Sequence, residues 1–285
     1  MYSKPITHIH RTAFVLLVDC STSMRERTSF NTMPLSKADA VALVCNFLLD
    51  ELLERATRVQ EVRNYYDIAV LGYADTKVWS LLPDDGEGFI HIDRLAKIAP
   101  KPVTRCFDQL LDDGTTTSAY FTLRPWIEPQ AEGSTPMHMA LTHAYMLLKK
   151  WCERPENRDS FPPMVFNITD GQATDALPDE LINIAQCIKD TKTDNGNTLL
   201  INVRLSGNYE TTSSIFPSDN SLYEDRGYHA TLFKMSSVMP KPLEPFILSI
   251  ANHSSPGPYR GLALNASPCE LLSILNIGTE SVNII

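Results

Sequence analysis

Residues 12–18, Thr-Ala-Phe-Val-Leu-Leu-Val, form an unbroken β-prone run that stops at Asp19-Cys20-Ser21-Thr22-Ser23. A strand with no polar face has to be covered on both sides, which places it inside a parallel sheet between helices, with a polar loop at its carboxyl end. The next segment supplies a cover. From Ser36 onward Ala38, Val41, Ala42, Val44, Cys45, Leu48, Leu49, Leu52 and Leu53 recur at helical spacing, with Ser36 as N-cap and Glu51 to Arg55 as an i,i+4 pair.

The same alternation continues along the chain. Residues 67–74 and 77–82, on either side of Asp75-Thr76, predict a hairpin and an antiparallel edge strand. Residues 83–133 are less regular and read as an insertion, with a short helix at 92–98 and a Thr-rich β-like stretch at 115–123. A second helix is expected over 136–151, with Pro136 in its first turn, where a missing N–H costs nothing. Residues 164–169 predict a buried strand ending in Asp170-Gly171, followed by a helix at 179–189 and a strand at 198–205. A helix at 243–251, a strand at 260–265 and helical turns at 269–275 complete the reading, with a polar loop at 207–227. Strands alternating with helices imply right-handed crossovers. The expected fold class is α/β: a doubly wound, mostly parallel central sheet with helices on both faces and one antiparallel edge strand. One domain is expected across 1–285, its core at about 10–280.

Composition limits the partners. With 25 Lys plus Arg against 34 Asp plus Glu, the net charge of −9 disfavours a nucleic-acid surface. The apolar stretch 13–18 is too short for a bilayer span or a signal-peptide core, so neither a membrane role nor secretion is expected. Six cysteines are scattered singly, without zinc-site pairs and too sparse for a disulfide scaffold. They read mostly as core fillers in a reducing, cytoplasmic setting, and Trp126 and Tyr120 likewise read as core aromatics.

Three segments carry chemistry, and a doubly wound sheet brings all three to the carboxyl ends of its strands. Asp19, Ser21 and Ser23 follow the first strand, Thr135 precedes the second helix, and Asp170 follows the strand at 164–169. Two carboxylates and three hydroxyls are hard oxygen donors, suited to Mg²⁺ or Mn²⁺. Asp75, Asp112, Asp113, Asp175 and Glu132 read as solvated loop charges. No H-E-x-x-H, G-x-S-x-G or P-loop pattern supplies a base or an activated nucleophile.

Asp19-Cys20-Ser21-Thr22-Ser23, Thr135 in Gly133-Ser134-Thr135-Pro136-Met137, and the Asp170-Gly171 loop together resemble the metal-ion-dependent adhesion site of von Willebrand factor type A (VWA) domains. Trp126 to Pro129 ahead of the threonine loop makes the chain most similar to bacterial intracellular members. It lacks the cysteine-rich tail of some tellurite-resistance relatives, so a role in that pathway does not carry over. The resemblance implies a Rossmann-like fold, with Ser21, Ser23 and Thr135 as direct metal ligands and Asp19 and Asp170 acting mainly through water. Neutral hydroxyls leave most of the ion's charge undiscounted, which favours an anionic ligand at an open position. The expected function is therefore a non-catalytic interaction module whose protein partner presents an Asp or Glu to the metal. The rival is a Mg²⁺-dependent phosphoryl-transfer or hydrolytic enzyme. Haloacid-dehalogenase-like phosphatases need a second acid two positions after the first, and that position here is Ser21. A scaffold with a structural or vestigial metal site is the third reading.

Overall fold

The computed structural model describes residues 1–59, 61–83, 88–111, 113–205, 212–218, 227–251 and 257–280. In chain order its elements are β1 (Thr12–Asp19), β2 (Arg27–Phe30), β3 (Met33–Ser36), α1 (Lys37–Ala56), the short pair β4 (Thr57–Arg58) and β5 (Glu61–Val62), β6 (Tyr66–Ala74), β7 (Lys77–Ser80) and β8 (Ile90–His91). There follow α2 (Ile92–Lys97), β9 (Val103–Leu110), β10 (Thr116–Leu123), α3 (Met137–Glu153), β11 (Met164–Thr169), α4 (Pro178–Asp190) and the short pair β12 (Lys192–Thr193) and β13 (Gly196–Asn197). The remainder comprises β14 (Leu199–Leu205), β15 (Ser214–Ile215), α5 (Tyr228–Met235), α6 (Glu244–Ile250), β16 (Leu262–Ala266) and α7 (Pro268–Glu280).

β1 is buried at every residue and divides its side chains between two cores. Phe14, Leu16 and Val18 pack with Val41 and Leu48 of α1 and Leu271 and Ile274 of α7. Ala13, Val15 and Leu17 pack with Leu141 and Trp151 of α3, Leu181 of α4 and Phe233 of α5. The period-two alternation of a strand produces this division, and the two helical layers follow from it. Ser36 caps α1 as expected, its hydroxyl accepting from the Asp39 amide, and Arg55 pairs with Glu51 at 2.6 Å.

The central sheet runs β15-β16-β14-β11-β1-β6-β7, with β8 also alongside β6. β1 is parallel to both β6 and β11, and the parallel pairing continues through β14 to β16. β7 is the expected antiparallel edge strand, and β15 adds an antiparallel pairing at the opposite edge. The chain leaves β1 through α1 to reach β6 on one side, and later crosses through α3 to reach β11 on the other. Where two crossovers part in this way, a crevice opens at the carboxyl ends of the strands.

Several sequence expectations need correction. Pro136 stands just outside α3, at its N-cap, with φ −80° and ψ 64°. Within residues 83–133, β8 joins the central sheet, while β9 and β10 form a separate two-stranded ribbon. Phe107 and Phe121 of the ribbon stack edge-on, and Phe121 meets Phe30 and Phe47 in the same manner. Tyr120, one position along, projects from the other ribbon face and is 68% exposed, so it is not a core residue. Trp126 is half-buried against the core, its indole N–H donating to Asp50 at 2.9 Å. Only Cys20 and Cys45 are buried core fillers; Cys106 and Cys187 are exposed. Asp112 and most of the loop at 207–227 lie outside the described residues, and no helix among those described is long and apolar enough to cross a membrane.

Candidate metal centre

The end of β1 turns sharply because Asp19 bonds its own chain two residues on. Its Oδ1 accepts from the Ser21 amide at 2.9 Å and its Oδ2 accepts from the Thr169 hydroxyl at 2.6 Å, so the carboxylate is clamped between β1 and the neighbouring β11. The turn aims two hydroxyls into one place, Ser21 Oγ and Ser23 Oγ being 3.1 Å apart. Ser23 Oγ in turn donates to Asp170 Oδ1 at 2.6 Å, joining segments 147 residues apart.

The loop carrying Thr135 is fastened to this turn. Thr22 N–H donates to the Gly133 carbonyl at 2.9 Å, Gly133 N–H donates to Thr22 Oγ1 at 3.0 Å, and Glu132 N–H donates to the Cys20 carbonyl at 2.7 Å. On its other side Ser134 N–H donates to Asp75 Oδ1 at 3.0 Å. Gly133 has φ +85°, and a Cβ there would fall 2.2 Å from that same Asp75 oxygen, so glycine is required at this position. Thr135 N–H donates to Thr174 Oγ1 at 3.1 Å and its carbonyl accepts from Thr174 N–H at 2.9 Å, which closes the ring of three loops.

All five residues read from the sequence as metal-ligating therefore lie in one crevice. Asp19, Ser21, Thr135 and Asp170 are each no more than 7% exposed. The Thr135 hydroxyl has no hydrogen-bond partner among the described residues. A Cβ added at Gly171 would lie 3.8 Å from both Ser23 Oγ and Thr135 Oγ1, so the missing side chain leaves the space these two hydroxyls face. Oxygen donors converging on a small bare space fit a hard cation by the chemistry of the donor set. No group of three His, Cys, Asp or Glu side chains suited to a metal occurs among the described residues, so the donor set here depends on hydroxyls.

Lys37, the first residue of α1, is the participant that sequence reasoning missed. Its ammonium donates to Asp170 Oδ2 at 2.8 Å and to Glu26 Oε2 at 2.7 Å, with the lysine and Asp170 side chains 5% and 1% exposed. The only signal available was a lysine at the start of an apolar helix. Asp75 and Asp175, read as solvated, turn out to anchor backbone: Asp175 accepts from His138 N–H and Met139 N–H in the first turn of α3. Glu132 faces Arg25 at 3.5 Å on the surface, and Asp113 accepts from Thr115.

Burial raises the Asp19 carboxyl above its ordinary value; hydrogen bonds from Thr169 and Ser21 pull it back, and the charge of Asp170 pushes it up further. The Cys20 thiol is pushed up to about 12 by burial and by Asp19, so in the metal-free protein it stays protonated at neutral pH.

No family model matches the sequence. No curated protein matches it either. Among solved structures the chain is similar to a von Willebrand factor type A protein from Catenulispora acidiphila, at 14% identity over 69% of this chain and 34% of that one, with a TM-score of 0.41. This chain thus spans about a third of that protein's length. It is also similar to the vWF domain of the type V pili tip protein Mfa5 from Porphyromonas gingivalis, at 9% identity over 96% of both chains and a TM-score of 0.47. A third is an aerotolerance-related membrane protein from Bacteroides fragilis, at 11% identity over 79% of this chain and 86% of that one, TM-score 0.37. Likeness of this degree concerns layout alone and places no ligand. The Rossmann-like fold itself follows from the strand order and register above, and it is the fold that the VWA resemblance implies.

Proposed function

We propose that this VWA-like fold serves as a protein-interaction module that grips its partner through a divalent cation, Mg²⁺ or Mn²⁺, without catalysis of its own. The observation that carries this reading is the meeting of Ser21, Ser23, Thr135 and Asp170 around the bare Gly171, with the Thr135 hydroxyl unclaimed among the described residues. Ser21, Ser23 and Thr135 would hold the ion through neutral oxygens. Asp19 and Asp170, already engaged by Thr169, Ser23 and Lys37, would stand behind them and orient water. The ion would supply positive charge at the mouth of the crevice, where a partner's Asp or Glu would complete its coordination.

The protein's own groups do the positioning. Asp19 fixes the turn that aligns the two serines, and the ring of backbone bonds through Thr22, Gly133 and Thr174 holds Thr135 opposite them. The second acid that a haloacid-dehalogenase-like phosphatase would need two positions after Asp19 is instead Ser21, whose hydroxyl faces Ser23.

The test is capture of partners from the source cell in Mg²⁺ and again in chelator. Thr135→Ala is expected to reduce metal-dependent capture by about tenfold or more, on the scale of losing one oriented ligand. Its melting temperature should stay close to the parent's, because the hydroxyl removed bonds no other group among the described residues. Equal capture in chelator by the parent protein would refute the metal-dependent reading.

A further inference from the structure

A lysine at position 37 is disfavoured twice over. It sits at the amino end of a 20-residue helix, where the dipole repels a cation, and its side chain is only 5% exposed. Its surroundings offset both penalties. The ammonium lies between Glu26 and Asp170, and the Lys37 amide also donates to the Glu26 carbonyl at 2.9 Å, so the start of α1 is fastened to the loop leaving the serines. Glu26 is 65% exposed and solvated, whereas Asp170 is 1% exposed. The charge of Lys37 therefore bears chiefly on Asp170.

We propose that Lys37 is a built-in counter-ion of the metal centre: it holds Asp170 back, limits the affinity for the cation, and leaves the loaded site with surplus positive charge for an anionic partner. The inference rests on the metal-dependent reading above. The charge count sets its sign. Asp19 and Asp170 contribute two negative charges and Lys37 one positive, so a divalent ion brings the cluster to a net charge of about +1, against about zero without the lysine. The metal-free protein faces the opposite balance. There Lys37 supplies the cation that Asp170 needs in its buried setting, so the crevice keeps its shape while it waits for the ion. A lysine of purely structural role would support the fold and leave metal affinity unchanged or lower it on removal.

The experiment is titration calorimetry with Mn²⁺ and Mg²⁺ on the full chain, for the parent, Lys37→Met and Lys37→Arg. Lys37→Met is expected to bind Mn²⁺ roughly 10- to 100-fold more tightly, the scale of one removed charge at intermediate effective dielectric. Lys37→Arg, which keeps the charge, should stay near the parent. The metal-free melting temperature of Lys37→Met should fall, because Asp170 loses its partner, and should recover on adding Mn²⁺. Glu26→Gln offers a second route through an exposed side chain, and its amide oxygen can still accept from the ammonium. With that anchor neutralised the ammonium bears wholly on Asp170, and Mn²⁺ binding should weaken by a few-fold. The proposal is overturned if Lys37→Met binds Mn²⁺ no more tightly than a parent that does bind it, or, should that variant not fold, if Glu26→Gln binds as tightly as the parent or more so. A parent that binds neither ion overturns the metal-dependent reading itself, and this proposal with it.

Discussion

Asp67→Ala is expected to cost the fold about 3–5 kcal/mol, the scale on which removing one partner of a buried ion pair destabilises a protein. Asp67 lies on β6 with its side chain 1% exposed and holds three groups together. His91 of β8 meets one carboxylate oxygen, while Trp151 Nε1 donates to the other at 2.7 Å and Arg11 Nε approaches that same oxygen at 3.2 Å. Alanine leaves the Trp151 indole N–H without its acceptor and takes the buried carboxylate away from Arg11, whose Nε keeps only its bond to Asn157 Oδ1 at 3.0 Å, at a point where β1, β8 and α3 converge. Burial alone would raise the Asp67 carboxyl, but the hydrogen bond from His91, the charge of Arg11 and the bond from Trp151 outweigh it, and the carboxyl lies below its ordinary value of 3.8. The native state therefore binds fewer protons than the unfolded chain near that value. The contribution of Asp67 is fully present above it and is lost as the pH falls through the depressed value. Urea denaturation of parent and variant at neutral pH measures the loss, and the difference should narrow in acid. Asp67 pairs with Ala13 while Asp19 pairs with Tyr73, so the two clusters sit at opposite ends of β1, about 20 Å apart at strand rise. Any residual folded Asp67→Ala should keep its metal affinity.

Asp19→Asn is expected to act in the opposite sense on the two quantities. Metal affinity should fall by roughly 10- to 100-fold, as when a carboxylate that orients ligands and water is neutralised. The metal-free fold should become more stable at neutral pH. The Asp19 carboxyl is raised above its ordinary value of 3.8, chiefly by burial, so the native state holds a proton more firmly than the unfolded chain. Stability of the metal-free protein consequently declines as the pH rises from that ordinary value through the elevated one, and the loss persists at neutral pH. Asparagine removes the buried charge, and its oxygen still accepts from the Ser21 amide. Melting temperatures in chelator and in saturating Mg²⁺ separate the effects: the variant should melt higher than the parent in chelator and gain less from Mg²⁺. A variant less stable than the parent in chelator that gains as much from Mg²⁺ would show that Asp19 is held for the fold alone.

The elements that a pattern of side chains defines could be read directly from the chain. Thr12–Asp19 is apolar throughout, the helix after Ser36 shows its face and its cap, and Asp75-Thr76 divides β6 from β7. β2 and β3 escaped notice because each has four residues, and their turn residues Asn31 and Thr32, at φ 48° and 65°, lack the glycine that advertises such a turn. α5 has eight residues and no side-chain cap, so nothing marks its start. At the crevice, residue type and strand-end position were enough to single out Asp19, Ser21, Ser23, Thr135 and Asp170 as oxygen donors that the fold brings together. Lys37 is different in kind. Its meaning lies in a bond to a residue 133 positions away, and nothing near it in the chain distinguishes it from a solvated helix lysine.

The most direct measurement is anomalous diffraction from crystals of the full chain grown with Mn²⁺. One strong peak is predicted within ligand distance of Ser21 Oγ, Ser23 Oγ and Thr135 Oγ1, with the Asp19 carboxylate still bonded to Ser21 and Thr169. A crevice without a peak at saturating Mn²⁺, or a peak held by residues other than these, would contradict the account.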